Sequence, residues 1–484
     1  MSSVYFIALP LLFGFAVPIL NKFGKNGVAY ASTLMQLVLL FLAFSKISMP
    51  HSLVEVIAIN PPLGISLVLN KTSILFVALF TLMMLLFSIY YLGLRREKPY
   101  KNENKFFILI NMLLASTIGL VLSSDIFNIY VFFEIAGISA YILSAYEGSA
   151  KAYEAGIKYL ITGMVASIFL VFAIALIYIH LGSLNLAVLS EKFVTLPSEM
   201  KLLISMLLFV GFGFKVEIFP FNFWVTDVYE GSSTLVDGLF SSIVVKAYLF
   251  VFFHIFYLFL PSGAYGSFLV LVGAVTMIVA EIVALKQTNL KRVFAYSSLG
   301  QAGFIFSTLA LESSSAVAAA IFIVIAHSIA KMAIFLTITI IENGRGSVDV
   351  STLRHIKSPF IVVVMIVAMI SLLGLPPLLG FTGKFLSLKS FAMSGEFSAL
   401  AIIIIASVIE SVYYFKLIGL LLERGSQRDV ITISGTQKSI LSILIVLLIV
   451  IGVAPWMISP YIDQASHMML DNSLYISTLL GAGK

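Results

Sequence analysis

The sequence predicts an all-α polytopic membrane protein with about fourteen transmembrane helices. Three observations carry that expectation. Of the 484 residues, 60% are hydrophobic and only 11% charged, whereas a water-soluble domain carries about 25% charged residues to cover its surface. Apolar stretches of about 17–25 residues, the length that crosses a bilayer, recur along the whole chain. Basic residues collect in alternate loops between them, as the positive-inside rule requires.

In chain order the apolar cores run over 4–20, 27–44, 72–93, 106–123, 125–144, 157–180 and 201–226. They continue over 235–260, 264–285, 291–310, 315–341, 359–385, 398–422 and 438–459. The first follows no basic region and shows no cleavage pattern, so it is expected to stay as a span rather than leave as a signal peptide. The tenth opens on polar AYSSLGQAG and the twelfth is interrupted by LPPLLGFTGK, where the plain apolar pattern fails. No polar stretch is long enough to fold alone, so the chain is one membrane domain. It divides into N-terminal spans over 1–93, a unit over 106–260, a second over 264–422 and a last span over 438–459.

The loop charges orient the chain. Lys22 and Lys25 follow the first span; Arg95, Arg96, Lys98, Lys101 and Lys105 follow the third. Lys286, Lys291 and Arg292 follow the ninth, Arg345, Arg354 and Lys357 the eleventh, and Arg424 and Arg428 the thirteenth. All these loops fall on one side, so both termini are expected on the outer face, where a tail with Asp463 and Asp471 fits. The net charge of +6 is spread over short loops and indicates no nucleic-acid partner. With no cysteine and six scattered histidines, disulfides, iron–sulfur clusters and a metal site are excluded from the expectation. Neither a phosphate-binding Walker loop nor a dinucleotide GxGxxG turn is present.

The informative residues are charges inside apolar runs, each costing roughly 2.5–3.5 kcal/mol near the middle of a span. Glu134 lies in IFNIYVFFEIAGISAYIL, and Lys215 lies near the middle of the seventh core. Lys246 lies about a third of the way along the eighth, with His254 eight positions later. His327 and Lys331 are spaced i, i+4 and so share one helix face. Lys384 follows the Pro376-Pro377 break, and Glu410 sits in IIIIASVIESVYYFKL. Glu281, near the end of its span, is the weaker acid. Glu217, two residues past Lys215, faces another side of a continuous helix; Glu134 is therefore the expected partner of Lys215. Glu217 is left to cap broken-helix backbone or to pair elsewhere. Spread over several spans, these groups are expected to line an internal row along which protons pass. Pro220 should break the seventh span as Pro376 and Pro377 break the twelfth. Two interrupted helices about five spans apart point to an inverted repeat and a transport path.

The stretches GFGFKVEIFPFNFWVTDVYEGSST, NLKRVFAYSSLGQAGF, HSIAKMAIFL and GLPPLLGFTGKF resemble the antiporter-like membrane subunits of respiratory complex I. They are equally similar to the large subunits of Mrp-type sodium/proton antiporters and to subunits of energy-converting hydrogenase-like complexes. The resemblance runs from the third span to the thirteenth. It implies two inverted five-helix repeats, each with a broken helix. Carried to matching positions, it makes Glu134 the membrane glutamate, Lys215 its partner and Lys246 the connecting lysine. It makes His327 with Lys331 the central relay and Lys384 the terminal residue; Glu217, His254 and Glu410 are secondary candidates.

The resemblance further implies a cell-membrane protein that moves protons, or sodium against protons, with no cofactor and no catalytic centre of its own. Its partners would be other membrane subunits of an NADH dehydrogenase-like respiratory complex with an iron–sulfur redox module. An Mrp-type antiporter without a redox module and a non-conducting scaffold subunit stay open as alternatives. Asn222 stands where the family usually has histidine, and Asn289 and Asn70 stand where aspartate is frequent. Asparagine carries no proton, so coupling at 222 and 289 is expected to be weaker. No long amphipathic helix follows the last span, which favours the family's shorter members.

Overall fold

A bilayer offers no water to unpaired backbone groups, so an apolar chain crosses it as helices that satisfy their own N–H and C=O groups. The computed structural model describes residues 2–24, 26–49, 52–57, 64–96, 98–259, 265–423 and 431–481. Lys25, Arg424 and Arg428 of the loop pattern, residue 260 of the eighth core and residue 264 of the ninth lie outside the described residues.

The N-terminal part holds α1 (Tyr5–Leu20), α2 (Gly27–Ile47), strands β1 (Leu53–Ile57) and β2 (Ile65–Leu69), and α3 (Lys71–Leu94). The antiparallel hairpin, pairing Leu53 with Leu69 through Ile57 with Ile65, qualifies the all-α expectation. It has a clear task. Glu55 on β1 accepts the N–H groups of Ser3 at 2.7 Å and Val4 at 3.1 Å and the hydroxyls of Ser2 and Ser3. These contacts tie down the entry to α1, where backbone donors have no helical partner.

Burial alone would raise the Glu55 carboxyl, but those four donors hold it below its ordinary 4.5. An acid depressed in the fold contributes stability above its unfolded value and loses it as pH falls through the lower folded one. Acidification below pH 4.5 is therefore expected to release this clamp. Hydrogen exchange at Ser3 and Val4 should accelerate there, and Glu55→Gln should remove that pH dependence.

The first unit contains α4 (Glu103–Leu122), α5 (Ile126–Ser144), α6 (Ala150–Leu181), the short α7 (Leu186–Phe193), α8 (Ser198–Val216) and α9 (Val225–Gly231). It ends with α10 (Thr234–Leu239), which continues through a π-turn at Phe240–Val244 into α11 (Val245–Phe259). The second contains α12 (Gly266–Ala284), α13 (Leu290–Leu309), α14 (Ser314–Arg345), α15 (Pro359–Leu373), α16 (Leu379–Met393) and α17 (Phe397–Leu422). After α18 (Gly435–Val453) the expected tail is instead helical, as α19 (Ser459–Leu470) and α20 (Asn472–Gly481). It packs back on the bundle: Thr72 donates its hydroxyl to the Ala465 carbonyl, and the Asn472 amide to that of Tyr257, both at 2.7 Å.

Among the described residues, ten helices are long and apolar enough to cross a membrane. The other four expected crossings fall short for visible reasons. Helix α1 has 16 residues, α13 opens on polar residues, α8 carries Glu199, Lys201 and Lys215 within its 19 residues, and α15 and α16 are one crossing broken in two.

The breaks and a recurring clasp show the repeat. Ile126 donates its N–H to Leu184 and Leu186 to Ser124, both at 2.9 Å, so that Asp125 faces Asn185. In the second unit Leu290 donates to Val348 and Val350 to Thr288, both at 2.7 Å, so that Asn289 faces Asp349. The acid and the amide have exchanged places. Between Asp125 and Asn289 the chain crosses through α5, α6, the α8–α9 pair, α10–α11 and α12, an odd number, so the two clasps lie on opposite faces. That is the relation an inverted repeat produces. Asn289 also caps α13, accepting the Lys291 N–H at 2.9 Å, and Asn70 caps α3 in a capping box. Asparagine and aspartate cap a helix about equally well, so both departures keep their local structural role.

Helix α8 stops at Val216 and α15 at Leu373, each followed by a residue in the left-handed region, Glu217 at φ 66° and Gly374 at φ 75°. Pro220 and Pro377 then deny the helix its next donor.

Candidate functional site

The buried charges are set around these two breaks. Lys215 occupies the last turn of α8 at 2% exposure. Its ammonium donates to the Tyr141 hydroxyl at 2.6 Å and lies 4.5 and 4.8 Å from the ring centres of Tyr141 and Tyr159. Aromatic faces attract a desolvated cation. Glu134, the expected partner, is the largest opposite charge acting on Lys215, though no ion pair within 4 Å joins them among the described residues. Glu134 is half-buried on α5, with one carboxylate oxygen lacking a hydrogen bond.

Glu217, left by the helical-face argument to cap backbone or pair elsewhere, turns chiefly to another lysine. It lies beyond the helix end at positive φ, buried, and its charge interacts first with Lys246 and then with Lys215. Lys246, at 2% exposure, donates to the Ser241 carbonyl. A π-turn disturbs the regular hydrogen-bond ladder, and two of its carbonyls find outside partners. Lys246 takes that of Ser241, and the Ser328 hydroxyl of α14 takes that of Ser242 at 2.8 Å.

His327, the neighbour of Ser328, is buried with neither ring nitrogen hydrogen-bonded, and the charges of Lys246 and Lys331 act on it. Lys331 is fully buried and donates to the Phe294 carbonyl at 2.9 Å and the Ser297 hydroxyl at 2.7 Å. Ser297 in turn meets the Tyr414 hydroxyl at 2.5 Å. The largest opposite charge acting on Lys331 is Glu281, followed by Glu410.

Glu281 therefore does not behave as a weak span-end acid. It is fully buried, accepts from the Tyr413 hydroxyl at 2.7 Å, and lies where any side chain on Gly300 would collide with it. Lys384 is 7% exposed; it donates to Glu410 at 2.9 Å and to the Leu373 carbonyl at the break at 3.2 Å. Gln301 donates to the other oxygen of Glu410 at 2.8 Å. Lys215 and Lys384 are also not counterparts. Lys215 stands five residues before Pro220, and Lys384 seven after Pro377. Aligning the prolines sets Lys384 against Asp227, which is bound to Lys158 at 2.8 Å and Arg292 at 3.0 Å.

The structure thus brings Glu134, Lys215, Lys246, His327, Lys331, Lys384 and Glu410 into one buried sequence of interacting charges, with Glu217 and Glu281 between them. His254 is left out, packed between the rings of Phe250 and Tyr475. Asn222 is half-buried in the first break, and its side chain joins none of the row's hydrogen bonds. Sequence reasoning missed the tyrosines, Gln301 and a further buried pair, Asp237 with Lys291 at 3.4 Å. Asp237 had a usable signal, an acid within the apolar run TLVDGLF. Among the described residues no three potential metal ligands converge.

The family described as NADH:quinone oxidoreductase/Mrp antiporter, transmembrane, matches residues 123–410, which contain every member of the row. The chain belongs to this family. NADH-quinone oxidoreductase subunit N 2 of Chloroherpeton thalassium is 30% identical over 365 residues, covering 71% of each chain. A chain of the membrane-bound sulfane sulfur reductase, an archaeal respiratory membrane complex, is 30% identical with a TM-score of 0.93, covering 99% of this chain and 100% of that one. A chain of the Mrp complex from Dietzia sp. has a TM-score of 0.90 over 99% and 100% of the two chains; its 20% identity shows a shared fold alone. In this member of the NADH:quinone oxidoreductase/Mrp antiporter family, each charged member of the row is chemically able to accept or release a proton. An antiporter-family chain with such a row is a multi-pass membrane protein built around bases and acids from both repeats.

Proposed function

We propose that this chain is a proton- or sodium/proton-translocating subunit of a multi-subunit respiratory complex in the cell membrane. Ions would move along the row from Glu134 through Lys215, Glu217, Lys246, His327, Lys331, Glu281 and Glu410 to Lys384. The observation that carries the reading is the row itself: acids and bases from both sides of the two breaks act on one another inside the membrane, where each charge is costly. Packing alone gives no reason to set that many titratable groups in one line, whereas proton exchange does.

The chain holds no cofactor in this reading. Its membrane partners and an iron–sulfur redox module supply the energy, and both termini face outward, as the loop charges indicate. A scaffold role is favoured by Asn222, which carries no proton, but that residue stands outside the row's hydrogen bonds. Ion flux through the assembled complex carrying Lys331→Ala separates the two readings. Conduction requires the flux to collapse with assembly intact, and unchanged flux would establish the scaffold.

A further inference from the structure

Asp237 and Lys291 are buried titratable groups that the row does not use. Asp237 is 0% exposed at the start of α10, and Lys291 is 3% exposed in the first turn of α13. Lys291 belongs by sequence to a basic loop, yet its ammonium reaches 3.4 Å from Asp237 and donates to the Ser232 carbonyl. The Ser232 hydroxyl donates to one Asp237 oxygen, and the Lys291 ammonium is paired with the other.

Two further observations give the pair a direction. On one side lies a cleft whose lining includes Lys98, Tyr100, Glu147, Ser233 and Glu342. The Thr234 hydroxyl donates to Glu342 at 2.6 Å, Tyr100 meets Ser233 at 2.8 Å, and the Glu342 charge acts on Asp237. The cleft therefore ends one residue contact short of the buried acid, on the face of the basic loops. On the other side is Tyr229, 1% exposed, whose hydroxyl lies against the Ser241 side chain. The charges acting on it are Glu217, then Asp237.

We propose that Asp237 and Lys291 form a proton inlet that joins this cleft to Glu217 through Tyr229, a proposal that rests on the reading of the row as a conductor. A proton taken up by the Asp237 carboxylate passes to the Tyr229 oxygen as that phenol gives its own proton to the Glu217 carboxylate. The phenol is unchanged, Asp237 is a carboxylate again, and the proton has moved one site inward. Lys291 offsets the buried negative charge of the empty inlet.

Tyr229→Phe is the discriminating variant, since it removes one hydroxyl, keeps the buried ring in place and should leave folding and assembly unchanged. In membrane vesicles holding the assembled complex, cleft face outward, proton uptake is expected to fall by about 100-fold, the lower end of the range for losing a proton-transfer group. The double variant Asp237→Asn with Lys291→Met, which removes both charges together, should show the same loss. Wild-type uptake in assembled Tyr229→Phe would overturn the inlet. Lys331→Ala serves as the control. If that variant conducts normally, the row itself fails; if it is silent while Tyr229→Phe conducts, only the inlet fails.

Discussion

Replacing Lys215 with alanine is expected to cut ion flux through the assembled complex by about 100-fold or more, within the range for losing an essential proton-transfer group. Lys215 stands between Glu134 and Glu217 in the first repeat, and its charge interacts with both. Its other neighbours are Tyr141, Tyr159 and Phe133, which hold a cation but do not replace its titration. Lys215→Arg sharpens the test. A guanidinium keeps the positive charge and the aromatic contacts but does not release its proton in a protein. If Lys215 only packs, arginine should restore flux to the assembled complex. If it carries protons, arginine should be as silent as alanine.

The second large effect concerns stability. Lys384→Ala is expected to destabilise the subunit by about 3–5 kcal/mol, because it strands a fully buried Glu410 that, among the described residues, keeps Gln301 as its one hydrogen-bond donor. The measurement is thermal unfolding of the purified complex together with its assembly yield. Lys384→Met combined with Glu410→Gln removes both charges, so stability should largely return while flux does not. A double variant as unstable as the single one would mean that the second break, rather than the ion pair, sets the cost.

Much of this site was legible because a charge in an apolar run is conspicuous. Glu134, Lys215, Lys246, Lys331 and Lys384 stand out for that reason alone, and both broken helices follow from Pro220 and Pro377. Pairing was less legible, because it depends on where helices stop. Glu217 was separated from Lys215 by an argument that assumes a continuous helix, yet the helix ends at Val216 and the positive φ of Glu217 re-aims its side chain. Glu281 lies near a span end, but Gly300 gives its carboxylate a place against α13, where depth along the span is a poor guide to burial. Lys291 sits in a polar stretch that resembles loop, and only the start of α13 at Leu290 carries it inside. The clasps at Asp125–Asn185 and Asn289–Asp349 are pairings between distant segments that no local pattern announces.

The central claim is that both repeats feed one continuous conductor, and Lys331 is where they join. Its electrostatic neighbours are Lys246 on the first side and Glu281 and Glu410 on the second. The most direct measurement is proton and sodium flux in vesicles containing the assembled complex with Lys331→Ala, normalised to its content in the membrane. The row predicts that flux falls by about 100-fold or more with subunit content unchanged. Wild-type flux at wild-type content would contradict it, and the buried charges would then belong to a scaffold.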